Sequence, residues 1–385
     1  MTKHSKMADC LNHLSKKHPT DCLKKPTMST SAIIEIAELG FPWATLDPFL
    51  FCVYHDDTYP AGNDQLGPAA SLAGRDLGQD FEGKDGWRMY HGRSVPGFPA
   101  HPHRGFETVT IVRRGLIDHS DSLGATARFG GGDVQWLTAG RGIVHSEMFP
   151  LVSREKDNPL ELFQIWLNLP ARDKMVEPHF TMFWSEDIPG GVSVDAQGGT
   201  TEIVCVAGRY TPSTPEVQLK PELSLTPLAP PPNSWAAHEE SDLAIWTIKM
   251  SPDARWRLPA AQGAGTRRTL YVFKGEHIVI DGKQVPGPAR IELQAGVEVE
   301  LANGPQVAEL LILQGRPLDE PVAQYGPFVM NTREQIQQAF ADYQRTQFGG
   351  WPFSTQAPVH ARERGRFARH ADGVVQERRY CPSAI

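Results

Sequence analysis

The chain has 385 residues, 40% of them hydrophobic and 22% charged, with a formal net charge of −7. That length exceeds one ordinary core and suits two domains of about 150 residues plus tails. No apolar run approaches the roughly 18 residues of a membrane span, and the negative balance offers no basic footprint for direct nucleic-acid binding.

In chain order, the first 27 residues are rich in Lys and His but lack the apolar core of a secretory signal, and Asp9 and Asp21 are unlike an organelle transit peptide. A disordered extension over residues 1–31 is expected, with Met28 as an alternative start. Over 32–172, short apolar runs such as "FLFCVYH", "ETVTIVRRG", "GGDVQWLTAG" and "LFQIWLNLP" alternate with Gly, Pro and Asp, which predicts an all-β sandwich or barrel. Within it, the Gly- and Asp-rich stretch 57–96 reads as a long surface loop, functional or disordered. A second β-rich block lies between 200 and 315, inside an expected domain of 173–350, interrupted by a Pro-rich excursion at 223–241. One helix is expected at "NTREQIQQAFADYQRTQFGG", with Thr332 and Gln335 spaced as a capping box, Ile336, Phe340 and Tyr343 on one face, and Gly349 and Gly350 ending it. The remaining 351–385 form a charged tail in which Arg362, Arg364, Arg366 and Arg369 read as a solvated or partly helical run, with a partner contact as the sharper alternative.

Five cysteines, Cys10, Cys22, Cys52, Cys205 and Cys381, are widely spaced without a C-x-x-C pair. That argues against a disulfide framework or a thiolate zinc site and for a reducing compartment. The chemistry concentrates instead in "HPHRGFE" at 101–107 and "HSE" at 145–147. Residues at i and i+2 of a strand share a face, so His101 and His103 aim at one point, and His145 and Glu147 do the same from a second strand. Three imidazoles and one carboxylate suit an octahedral Fe(II)-type ion that keeps two positions free, although other divalent metals fit the same donors. His119, His179, His238 and His277 are expected to be ordinary surface or packed residues. Glu107 follows His103 by four and falls on the ligand face unless a bulge at Gly105 intervenes; it either orients an imidazole from behind or pairs with Arg104 or Arg113. Phe106, Trp136 and Met148 are candidates for a pocket wall, though aromatic residues in a small barrel are more commonly core.

"FPAHPHRGFETVTIVRRG" and "GGDVQWLTAGRGIVHSE" resemble the two motifs of the cupin superfamily and, in detail, the pirin family; "KMVEPHF" at 174–180 and 317–344 are similar to pirin segments too. The resemblance spans about 35–350. It implies a bicupin: two jelly-roll-type β-barrels packed face to face, followed by the C-terminal helix, with iron in the first barrel on His101, His103, His145 and Glu147 and none in the second. It further implies an Fe(II)-dependent, quercetin 2,3-dioxygenase-type enzyme acting on a flavonol, with Glu147 doubling as a base. A second reading is a redox-sensing iron protein that acts as a co-regulator through a protein partner, and a third is another cupin chemistry such as isomerisation or decarboxylation. A monomer is expected, cytoplasmic or, in a eukaryote, nuclear, and not secreted.

Overall fold

The computed structural model describes residues 31–211, 217–219 and 226–379, so nearly all of the extension expected over 1–31, together with Met28, Cys10, Cys22 and Cys381, lies outside the described residues. The first half contributes β1 (Ile33–Ala37), β2 (Phe49–Tyr59), β3 (Gly97–His103), β4 (Phe106–Arg114), β5 (Leu116–Asp121), β6 (Thr126–Gly130), β7 (Val134–Thr138), β8 (Ile143–Met148), β9 (Asn158–Asn168) and β10 (His179–Phe183). Two antiparallel sheets build the first barrel. One is ordered β10-β7-β4-β9-β2; the other runs β6-β5-β8-β3 and is extended past β6 by strands Phe367–Arg369 and Val375–Glu377. The second barrel pairs an eight-stranded sheet with a four-stranded one, giving the expected all-β architecture of two barrels.

Strand alternation explains how the barrels meet. In β9 the side chains of Phe163, Ile165 and Leu167 point one way, into a core shared with Tyr271, Phe273, Leu311 and Leu313 of the second barrel. Trp43 anchors that layer, stacked on Tyr271 with ring centroids 5.1 Å apart. The intervening Leu162, Gln164 and Trp166 point the other way and line a cavity in the first barrel.

Two short strands lie across the expected division at 172/173. β1 pairs with Ala289–Leu293 of the second barrel, whereas β10 pairs with β7 of the first. The helix α1 (Arg333–Thr346) carries the expected capping box, with the Thr332 and Gln335 side chains each bonded to the other's backbone. It ends at Gln347, which adopts a left-handed φ of 48°, rather than at Gly349 and Gly350. Its apolar face packs on Phe328 and Met330.

Two expectations are corrected. The stretch 57–96 begins inside β2 and from residue 60 is an irregular surface segment, but it is packed rather than disordered: Trp87, Met89 and Tyr90 are buried, because three large apolar side chains give it enough area to pack on the barrel. Nor is the tail a solvated run. Residues 367–369 pair antiparallel with β6. Arg128, wholly buried, clamps Asp118 through Nε and Nη2 at 2.6 and 2.7 Å and gives further donors to the carbonyls of His360, Ala361 and Arg364. Arg366 reaches back to the buried Asp133 at 2.6 Å, and Arg362 bonds the carbonyls of Leu151 and Val152. Of the arginines that look like a surface charge cluster in the sequence, Arg366 is a counter-ion and Arg362 a carbonyl clamp of a strap, whereas Arg364 pairs with Glu377 within the tail and Arg369 is exposed.

Removing one partner of a buried ion pair strands the other, at a cost of about 3–5 kcal/mol. Arg366→Ala is therefore expected to lower unfolding stability by about 3 kcal/mol in urea titrations; an unchanged midpoint would mean that the strap does not hold the barrel.

Candidate metal centre

β3 reads "GFPAHPH", and its two prolines cannot donate to a ladder, which suits its place at the edge of its sheet. It pairs with β8 so that His101 lies opposite His145 and His103 opposite Ile143. The register slips between Phe98 and His101. The Pro99 carbonyl in that bulge accepts a hydrogen bond from His101 Nδ1 at 2.8 Å, and the Pro327 carbonyl, brought from the second half of the chain, faces His103 Nδ1 at 3.3 Å. With Nδ1 taken on a carbonyl, each ring turns its Nε2 toward the barrel interior. His145 is completely buried, and neither of its nitrogens has a hydrogen-bond partner.

One ligand atom from each of His101, His103 and His145 lies within 4.8 Å of the others, and the ring centroids are 4.5 to 4.8 Å apart. Burial pulls all three imidazoles below their ordinary range, His101 to about 4. They are thus uncharged at neutral pH, the form in which an imidazole binds a metal. The orphaned nitrogens of His145, costly to bury unpaired, fit a coordinated cation. Glu147 stands beside this group, Oε2 being 3.8 Å from His145 Nε2. Gln164 donates to its Oε2 at 3.1 Å; the Thr110 hydroxyl lies 3.1 Å from its Oε1 and 2.5 Å from Gln164 Oε1, and has one proton for the two acceptors. Burial raises the Glu147 carboxyl, while His119, Thr110 and Gln164 pull it back.

The group opens into a cavity of about 550 Å³ lined by Phe41, Phe51, Phe81, Phe98, Phe149 and Trp166, with His55, His91, Thr110, Glu147 and Gln164 among the polar groups. Such a shape, apolar walls with a few convergent polar atoms, suits a small aromatic ligand.

Residues 39–167 match the family model described as Pirin, and residues 245–349 match the one described as Pirin C-terminal cupin domain. A Pseudomonas aeruginosa protein named "Putative quercetin 2,3-dioxygenase" is 37% identical over 260 residues, covering 66% of this chain and 79% of that one. The chain belongs to the pirin family. Human pirin is 33% identical over 273 residues, covering 68% of this chain and 80% of its own. Among solved structures, quercetin 2,3-dioxygenase from Acinetobacter baumannii superposes with a TM-score of 0.58 at 28% identity, covering 79% of this chain and 87% of that one.

In this member of the family, Glu107 does not stand where strand alternation put it. Gly105 adopts a left-handed φ of 86°, and a Cβ there would fall 1.9 Å from the Val329 carbonyl oxygen. The chain breaks between β3 and β4 and alternation restarts on the opposite face. Glu107 consequently points into the core between the barrels, where Thr138 donates to its Oε1 at 2.7 Å and Ser234 donates to its Oε2. It orients no imidazole and pairs with neither Arg104 nor Arg113; those bond Asp342, and Glu161 with Glu309. Trp136 also lies in the inter-barrel core, and Phe106 and Met148 are buried away from the cavity lining. His119 is a packed histidine bonded to Asp121 and Gln135. Thr110 and Gln164 escaped the sequence reading, although each is a polar residue on the inward parity of an otherwise apolar strand.

Burial raises Glu107 to about 7 in the folded chain, from 4.5. The folded state holds that proton more tightly, so the stability Glu107 contributes is complete below about pH 4.5 and is lost as pH climbs through 7. Glu107→Gln is expected to retain full metal stoichiometry and to gain about 3 kcal/mol of stability relative to wild type between pH 5 and pH 8. Denaturant midpoints at the two pH values check this, and a metal-free variant would return Glu107 to the ligand face.

Proposed function

We propose that the protein is a non-haem dioxygenase of the quercetinase type, with Fe(II) held by His101, His103, His145 and Glu147 and a flavonol such as quercetin as substrate. The observation that carries this reading is the set of uncharged imidazoles with free nitrogens at the base of an aromatic-lined cavity. Similarity to the Acinetobacter baumannii quercetin 2,3-dioxygenase supports it. When bound, the metal supplies Lewis acidity toward a substrate oxygen and a route for an electron between substrate and dioxygen.

The chain's own residues do the remaining work. Phe98, Phe149 and Trp166 receive a flat ring system and exclude water, which strengthens every polar contact at the cavity base. Glu147 is the proton acceptor: the flavonol 3-hydroxyl gives its proton to Oε2, the oxygen near His145. Burial makes this carboxylate a stronger base than an exposed one. Gln164, whose own amide oxygen is held by Thr110, fixes the carboxylate in orientation, so the proton arrives at a group already aimed. The co-regulator reading gains no support from the tail, whose Arg362 and Arg366 bond within the chain.

Elemental analysis of purified protein should find about one iron per chain, and an oxygen electrode should record oxygen uptake on addition of quercetin. His101→Ala should lose the metal and bring uptake down to the buffer rate. Protein that holds iron stoichiometrically yet consumes no oxygen with any flavonol would sink the proposal.

A further inference from the structure

β2 reads "FLFCVYHDDTY", and alternation sends Phe51, Val53, His55, Asp57 and Tyr59 to its inward face. The first two line the cavity, as an apolar wall requires. The next two break that pattern, because His55 is 7% exposed and Asp57 fully buried. They are joined by Tyr90, which is also fully buried and is delivered by the packed 60–96 stretch. Tyr90 adopts a left-handed φ of 56°, unfavourable for a residue with a Cβ. The backbone tolerates this in placing the hydroxyl between the other two side chains: His55 Nδ1 is 2.6 Å from Tyr90 Oη, and Tyr90 donates to Asp57 Oδ2 at 2.6 Å. Arg88 pairs with the other oxygen of Asp57 at 3.0 Å.

The direction of the chain of bonds follows from proton counting. A tyrosine hydroxyl has one proton, and a carboxylate paired with arginine is an acceptor only, so the proton goes to Asp57. The Tyr90 oxygen must then accept from Nδ1–H of His55, which leaves Nε2 as a bare acceptor. Burial, followed by the Arg88 charge, pulls His55 down to about 3, so the ring stays neutral. Nε2 has no hydrogen-bond partner among the described residues, and His55 lines the cavity. The Phe98 ring links it to the metal centre, its centroid 6.3 Å from those of both His55 and His101.

We propose that His55 is a specificity-determining hydrogen-bond acceptor, its Nε2 taking a phenolic O–H on the part of a polyhydroxylated aromatic substrate remote from the three histidines. Tyr90 and Asp57 are positioning residues that fix its tautomer. The inference rests on the flavonol reading for its ligand class but concerns binding rather than turnover. A neutral acceptor in an apolar wall favours a hydroxylated ring over a bare one, because a bare ring leaves Nε2 desolvated and unpaired.

The test measures anaerobic binding of quercetin and of 3-hydroxyflavone to metal-loaded protein by tryptophan fluorescence quenching. Both ligands carry the reacting 3-hydroxyl, and only quercetin carries hydroxyls elsewhere. In His55→Phe, which keeps the apolar volume, the preference for quercetin should shrink about tenfold. An unchanged preference in the folded variant overturns the proposal. Should that variant fail to fold, nitrogen-detected NMR of the wild type decides: a single Nδ1–H tautomer is expected at His55, becoming mixed in Tyr90→Phe with about a threefold loss of preference, whereas an Nε2–H tautomer in the wild type overturns it. Wild-type protein that shows the His55-dependent preference yet consumes no oxygen would leave this inference standing and remove the dioxygenase reading. Binding of neither flavonol would overturn both.

Discussion

Packing three imidazoles around one point inside a protein imposes a single demand: none of them carries a proton. Each charge would face two others at under 5 Å in a medium that screens poorly, and burial already disfavours every one of them. Burial satisfies this demand against the carbonyls at Nδ1 of His101 and His103, which favour the charged ring but less than a carboxylate there would. Those carbonyls come from a bulge in an edge strand and from the turn ahead of Phe328. The bulge in β3 and the packing of the second half of the chain on the first thus place the two carbonyls that orient these rings.

The wall between the two barrels shows the same economy of position. Successive residues of β4 and β9 serve different compartments, Thr110 and Gln164 facing the cavity while Ile111 and Phe163 face the second barrel. A substitution one residue away therefore changes a different property. The buried Lys174 ties this wall to the turn: its ammonium bonds the Gly105 and Val329 carbonyls and Asn168 Oδ1, holding the segment that carries Pro327 against the strand that carries His103.

Much of this was legible in the sequence. Nothing interrupts alternation between His101 and His103 or between His145 and Glu147, so the three histidines converge and Glu147 stands beside His145, outside the three-histidine group. Alternation fails for Glu107 because one glycine in the left-handed region restarts the count, and a sequence shows a glycine without its φ. The tail was opaque for another reason: a run of arginines reads as solvated until the Asp133 partner of Arg366 is seen, more than two hundred residues away and fully buried. The 57–96 stretch misled through its Gly and Asp content, while Trp87 and Tyr90 within it carried the packing signal.

The interlacing of the chain has a consequence for its biogenesis. The sheet that holds β3 and β8 is completed by residues 367–369, the carbonyl that caps His103 belongs to residue 327, and β1 waits for its partner at 289–293. A ribosome delivers residues in order, so β1 stays unpaired until 289–293 has emerged and β6 keeps an open edge until 367–369 has. The three-histidine group thus reaches its finished geometry only after residue 327, which supplies the carbonyl at His103, has been made.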